Sequence, residues 1–320
     1  MNTILLGFEP NTLSAGDLAQ IQALAPTKQL LVTTDRHTIE QALDEIEIAV
    51  KSFPQDLMTK APNLRWFQQW GAGADWLLRH PEVVRSDLII TTGSGVHAIP
   101  ITEQILAYLF AFARRLPQAI RSQTRHEWGQ PQWSQLFELA GKTLVLIGVG
   151  AIGERTALMA NALGMRVLGV RRDSATNAPG VQAMFNPDQL SEVLPQADFV
   201  VLTVPLTPAT QRLIGEKELR AMKATAYIVN IGRGGVIDEP ALVRALQEGR
   251  LAGAGLDVFA IEPLPQDSPL WAMENVIITG HYAGATPVYE PRIMAIFQEN
   301  LRRYVAGEPL HNVVDKSLGY

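Results

Sequence analysis

The chain has 320 residues, 47% hydrophobic and 18% charged, with 27 Lys and Arg against 32 Asp and Glu for a net charge of −5. A single core stops growing at roughly 250–300 residues, so two domains are expected, and this composition excludes a disordered or collagen-like chain. The acidic balance speaks against a protein that tracks nucleic-acid phosphates, and the absence of cysteine excludes disulfides, thiolate catalysis, Fe–S clusters and cysteine-based zinc sites.

The N-terminal run Met1-Asn-Thr-Ile-Leu-Leu-Gly-Phe8 has no basic start and reads as a first strand of a cytoplasmic protein, not as a signal peptide. Apolar stretches such as 105–113 and 143–153 fall far short of the roughly 18 residues a membrane helix needs. Five short apolar runs, 4–8, 30–33, 46–50, 64–68 and 88–91, predict buried parallel strands, and Leu18, Ile21 and Leu24 carry helical spacing between the first two. Their alternation predicts an α/β unit. Residues 96–116 then read as one long helix, apolar on more than one side. Such a helix belongs in a core or a subunit interface. An interface is favoured, and with it a homodimer through 96–140. From Gly141 a second α/β pattern runs through six candidate strands, 143–147, 166–170, 199–204, 227–231, 255–258 and 276–279. Six is the count of a doubly wound dinucleotide-binding domain. A helix over 293–305 and an irregular tail close the chain.

Gly148-Val-Gly-Ala-Ile-Gly153 follows the strand 143–147 and opens a helix near Glu154. Gly148 allows the tight turn, Gly150 lets backbone approach a pyrophosphate, and Gly153 lets helix and strand pack closely. Ala151 and Ile152 supply N–H groups at the helix start, where the dipole favours anions. A glycine-rich turn has an ordinary reading too, but here the required strand and helix flank it. At the end of the second strand, 171 − 153 = 18 residues on, stand Arg171 and Arg172, with Asp173 two positions late. An acid there would bond the ribose hydroxyls of NAD(H), whereas arginines attract a 2′-phosphate. NADP(H) is favoured, and NAD(H) is the other option.

Three polar groups follow three strands of this second unit: Arg233 in Asn230-Ile-Gly-Arg-Gly-Gly235, Glu262 in Leu256-Asp-Val-Phe-Ala-Ile-Glu-Pro263, and His281 in Thr279-Gly-His-Tyr-Ala-Gly284. Singly, each passes for a turn cation, a helix-start acid and a core histidine. In a parallel sheet, however, all the carboxyl ends open on the side of the phosphate loop, so the three can converge there.

These segments, with Gly71-Ala-Gly-Ala-Asp75 and Gly95-Val-His-Ala-Ile-Pro-Ile-Thr-Glu103, resemble the D-isomer-specific 2-hydroxyacid dehydrogenases, in particular their glyoxylate/hydroxypyruvate reductase-like branch, over nearly the whole chain. Two departures stand out: Gly280 where a proline usually precedes the histidine, and Arg171 where the family usually has an acid. The resemblance implies an α/β fold of two doubly wound parallel-sheet domains. A Rossmann cofactor domain, 96–290, is inserted into a flavodoxin-like substrate domain, 1–95 plus 291–320, with hinges near 96–100 and 287–291. It implies reduction of a small 2-keto acid to the D-2-hydroxy acid with a nicotinamide cofactor. Arg233 would bind the carboxylate and polarise the keto oxygen, His281 would donate the proton, and Glu262 would pair with His281 and orient it. Backbone N–H groups at Ala72 and Gly73 would hold the carboxylate from the other domain. Val204 and Pro205 in Thr203-Val-Pro-Leu-Thr207, with Ile231, Gly232, Arg233, His281 and Gly284, would lie along the cofactor, and Asp257 near the nicotinamide amide.

Trp70 and Tyr282 would shape the pocket or serve as packing aromatics, and His97 reads as structural. His37, His80, His126 and His311 read as surface or structural residues. No metal, nucleic-acid or membrane partner is expected. Two other functions compete. One is an NAD-dependent phosphoglycerate dehydrogenase, disfavoured because no regulatory domain follows and no basic cluster flanks 71–75. The other is a non-catalytic dinucleotide-sensing interaction protein, disfavoured because the Arg, Glu and His set is complete.

Overall fold

The computed structural model describes residues 2–319, and the chain divides into two compact units, one running to Val96 and resuming at Pro287, the other His97–Thr286. The first holds five parallel strands, β1 (Thr3–Gly7), β2 (Gln29–Val32), β3 (Ile46–Lys51), β4 (Trp66–Gln68) and β5 (Ile89–Thr91), in the spatial order β2-β1-β3-β4-β5. That is the flavodoxin-like order. β1 is buried at all five positions, and successive side chains feed opposite layers. Ile4 and Leu6 join one core with Ile48, Val50 and Trp66, and Leu5 joins the other with Ala49 and Phe67. This is why a parallel strand covered on both faces reads as an unbroken apolar run. Ser14 starts the helix Ala15–Leu24 through a capping box with Asp17.

The helix Tyr289–Ala306 lays Ile293, Met294, Phe297 and Leu301 into the core of this same sheet. It begins four residues before the expected 293, and its first turn is bonded into the first unit. Trp70 Nε1 donates to Glu290 Oε2 at 2.8 Å, and the Tyr289 hydroxyl donates to the Trp70 carbonyl. Residues 287–290 therefore group with the first unit, where the sequence placed them in the second. Trp70 itself is only 6% exposed and packs edge-on against Phe8, as a packing aromatic would.

The second unit holds seven parallel strands, β6 (Thr143–Ile147), β7 (Arg166–Val170), β8 (Ala183–Phe185), β9 (Phe199–Leu202), β10 (Tyr227–Asn230), β11 (Gly253–Leu256) and β12 (Val276–Ile278), ordered β12-β11-β10-β9-β6-β7-β8. Counted from β6, this is the doubly wound order 3-2-1-4-5-6 with one strand added. The expected count of six missed β8. It is a three-residue edge strand, half-buried throughout, so it lacks the apolar run that marks its neighbours.

The expected helix over 96–116 is also corrected. It spans Ala98–Ala113, and Arg115, at φ 55°, breaks it from a second helix, Leu116–Thr124. Ile101, Ile105, Tyr108, Leu109 and Phe112 are buried in the core of their own unit, which accounts for most of that helix's apolar character. The exposed apolar side chains lie mainly further on: Leu116, Ile120, Trp128 and Trp133. Among the described residues no helix is long and apolar enough to cross a membrane.

Candidate active site

Every strand of the second sheet is parallel, so the segments that follow β6, β7, β9, β10, β11 and β12 emerge on one edge. After β6, Gly148 takes φ 102° and donates its N–H to the Val170 carbonyl at 2.9 Å. The Gly148 carbonyl accepts from Thr203 Oγ1 at 2.6 Å. A Cβ on Gly153 would stand 2.3 Å from the Gly148 carbonyl oxygen, so only glycine lets the helix Ala151–Ala162 pack this close to β6. A Cβ on Gly150 would meet nothing within 4 Å, so the space before the helix is open. Gly150 caps the helix without a side-chain bond, and the N–H groups of Ala151, Ile152 and Gly153 have no acceptor within the helix. An open cradle of N–H groups at a positive helix end fits a pyrophosphate.

Val204 and Gly232 close in on the same turn. Val204 Cγ1 lies 2.9 Å from where a Cβ on Gly148 would be, and a Cβ on Gly232 would lie 2.6 Å from the Val204 carbonyl. Pro205 accepts at its carbonyl from Thr210 Oγ1 at 2.6 Å, and Ile231 N–H donates to Leu202 at 3.3 Å. At the end of β7, Arg171 is largely buried against backbone: Nε donates to the Asp173 carbonyl at 2.7 Å, one terminal nitrogen to the Val149 carbonyl at 3.3 Å, and the other to the Thr176 carbonyl. Arg172 is exposed.

Arg233 sits on a turn built by Asn230. The Asn230 amide nitrogen donates to the Arg233 carbonyl at 3.0 Å, its amide oxygen accepts from Gly232 N–H at 3.1 Å, and the side chain is buried. A Cβ on Gly234 would fall 1.9 Å from the Phe259 carbonyl carbon, so this turn lies directly on the loop after β11. In that loop Glu262 Oε1 accepts from Phe259 N–H at 2.9 Å, while Glu262 Oε2 meets His281 Nδ1 at 2.7 Å.

The His281 turn hangs on Asp257, which is 1% exposed. The Asp257 carbonyl accepts from His281 N–H at 2.8 Å, and its carboxylate accepts from Tyr282 N–H at 3.1 Å, from Ala283 N–H at 3.0 Å and from the Thr279 hydroxyl. The Tyr108 hydroxyl bonds Thr279 Oγ1 in turn, and burial pushes that phenol up to about 12.

His97, which the sequence read as structural, packs against the far end of the His281 turn. Its Nδ1 lies 3.2 Å from the Gly284 carbonyl, and a Cβ on Gly284 would stand 2.7 Å from that nitrogen. Burial holds the His97 ring below its ordinary value. The Gly284 bond opposes the shift, and the nearby Arg233 charge adds to it. Asn230 and Thr279, which hold the two turns, were missed. Their one signal was a polar residue ending an otherwise apolar strand. Ala72 and Gly73 belong to the first unit, on a loop whose Gly71 and Gly73 carbonyls accept from the Gln69 amide.

The structure thus brings together Gly148, Gly150, Gly153, Val204, Gly232, Arg233, Asp257, Glu262, His281 and Gly284 within one unit. A family model described as the D-isomer specific 2-hydroxyacid dehydrogenase NAD binding domain matches residues 106–283. The glyoxylate reductase of Korarchaeum cryptofilum is 36% identical over 82% of this chain and 80% of its own. The D-3-phosphoglycerate dehydrogenase of Methanocaldococcus jannaschii is 35% identical over 88% of this chain, which spans only 54% of that longer protein. Among solved structures, an NADPH-dependent glyoxylate/hydroxypyruvate reductase from Sinorhizobium meliloti, in complex with NADP and sulfate, superposes with a TM-score of 0.84 at 26% identity over all of both chains. With the family model covering more than half of its length, and a relative above 30% identity aligned over most of both proteins, the chain belongs to the D-isomer specific 2-hydroxyacid dehydrogenases, a family of NAD(P)-dependent oxidoreductases.

Proposed function

We propose that this chain reduces a small 2-keto acid, such as glyoxylate or hydroxypyruvate, to the D-2-hydroxy acid with NADPH. The observation that carries this reading is the 2.7 Å contact between His281 Nδ1 and Glu262 Oε2, on the same strand-end edge as Arg233 and the phosphate loop. The nicotinamide, when bound, supplies the hydride. With its Nδ1 proton directed at a carboxylate, His281 has Nε2 left to hand a proton to the substrate oxygen. Glu262, fixed by Phe259 N–H, orients the ring. Arg233 offers a planar fork that binds a carboxylate and reaches the keto oxygen. The Ala151, Ile152 and Gly153 amides hold the pyrophosphate, and Val204, Pro205, Ile231, Gly232 and Gly284 lie along the cofactor. Asp257 already accepts three bonds. A carboxylate has about four acceptor positions, so one remains for the nicotinamide amide.

NADP(H) is favoured over NAD(H) by the arginines after β7 and by the absence of an acid at that strand end. The NADP held by the S. meliloti reductase supports the same preference. The test is oxidation of NADPH and of NADH, side by side, against glyoxylate, hydroxypyruvate, pyruvate, a phenyl-substituted keto acid and 3-phosphohydroxypyruvate. Fast NADPH turnover with one of the small acids is expected. Turnover confined to the phosphorylated acid would favour the phosphoglycerate dehydrogenase reading, which the M. jannaschii likeness keeps in view. Cofactor binding with no turnover on any acid would favour a sensing role. The chain also forms a homodimer through 96–140, a reading supported by the exposed apolar side chains of that segment.

A further inference from the structure

Arg171 and Arg172 are neighbours of like charge at the strand end that faces the adenosine ribose, yet they stand in different environments. Of the five N–H donors of a guanidinium, Arg171 commits at least three to backbone carbonyls: Nε to Asp173 at 2.7 Å, one terminal nitrogen to Val149 at 3.3 Å, the other to Thr176. Those carbonyls belong to two separate segments. Val149 is the second residue of the phosphate loop, while Asp173 and Thr176 belong to the loop after β7. Glu154 Oε1, in the first turn of the helix that follows the phosphate loop, lies 3.8 Å from the same guanidinium. The Arg171 side chain is 20% exposed, whereas Arg172 is exposed.

Three carbonyls leave Arg171 at most two N–H donors for a phosphate, and that phosphate would sit beside the Glu154 carboxylate. Both costs fall on a dianion. Arg172, one residue on, carries the same charge at the exposed surface of the turn. We infer that the two arginines divide the work. Arg171 is a positioning residue that clamps the phosphate loop to the loop after β7, and Arg172 meets the 2′-phosphate of the cofactor. The second half rests on the NADP(H) reading above; the first half does not, because a clamp between loops serves NADH and NADPH alike.

The experiment is titration of NADPH and of NADH, without substrate, into the wild type, Arg171→Ala, Arg171→Lys and Arg172→Ala by calorimetry. Loss of charge-assisted bonds of this kind shifts affinity by roughly 10- to 100-fold. Arg171→Ala is expected to weaken both cofactors by a similar factor. Arg172→Ala is expected to weaken NADPH by that factor and to leave NADH nearly unmoved. Arg171→Lys keeps the charge but not the fork, so it is expected to follow Arg171→Ala, and it decides the matter should the alanine variant fail to fold. Loss of NADPH alone in Arg171→Ala, with Arg171→Lys restoring it, would overturn the division, as would no loss of either cofactor. A wild type that binds NADH at least as tightly as NADPH would remove the NADP(H) reading and the Arg172 half with it. The NADH loss in Arg171→Ala would still decide the clamp.

Discussion

His281 presents its ring from a backbone at φ 55°, a region that non-glycine residues seldom occupy, with Asn and His among the better tolerated. The Asp257 carbonyl and carboxylate hold that turn from below, and a Cβ on the preceding Gly280 would meet nothing within 4 Å. Asparagine is therefore an informative replacement: it accepts the same backbone and lacks a transferable proton. His281→Asn is expected to lower keto-acid reduction by roughly 10²–10⁴-fold while NADPH still binds. Near-normal turnover would remove His281 as the acid. On the other side of the turn, His97 bonds Gly284 and is held neutral more strongly than a free imidazole. Its folded value lies below the unfolded one, near 6.5, so the unfolded chain binds the proton first and stability falls as pH drops below about 6.5. His97→Gln should flatten the acid-side decline of the melting temperature between pH 6.5 and 5. An unchanged slope would mean that His97 does not carry it. Gly284→Ala should be destabilising by itself, and His97→Ala should relieve part of that loss, since the two groups compete for one space.

At the level of the elements, the turn between β6 and its helix separates packing from binding. A methyl at Gly153 meets the Gly148 carbonyl at 2.3 Å, whereas a methyl at Gly150 meets nothing within 4 Å. Gly153→Ala must push helix and strand apart, at a cost of roughly 1–3 kcal/mol, and should lower the melting temperature by several degrees. Gly150→Ala should leave the melting temperature within about a degree and still weaken cofactor binding, because its methyl enters the open cradle. Equal melting behaviour in the two variants would contradict this division. That glycine pattern was legible in the sequence because each glycine answers a local need, and the strands with apolar runs were legible because both of their faces are covered. β8 was not, because an edge strand of three half-buried residues has no such run. The supports of the site were hidden for a different reason. Asp257 acts on residues 22 to 26 positions away, and His97 on one 187 away, so only the folded sheet brings them together. Arg171 shows the limit from the other side. Its charge was readable, but the three carbonyls that engage it were not.

For the molecule as a whole, the outstanding balance is apolar surface. Trp128 is 89% exposed, Trp133 92%, Ile120 62% and Leu116 47%, all within one stretch after the helix Ala98–Ala113. Large apolar side chains exposed along one stretch are what a chain that associates through that stretch would carry. Burying each large apolar side chain stabilises by roughly 1.5–3 kcal/mol, so this stretch can supply much of a dimer's association energy. The core of the second unit already takes Ile101, Ile105, Leu109 and Phe112, leaving the later residues as the ones that a second copy would cover. Light scattering across a range of concentrations should give twice the mass of one chain. Trp128→Ser with Trp133→Ser should raise the dissociation constant by at least roughly 100-fold without disturbing either sheet, since neither tryptophan belongs to a core cluster. A wild type that stays monomeric at every concentration would remove the homodimer. A dimer that tolerates the double substitution would move its contact to another face.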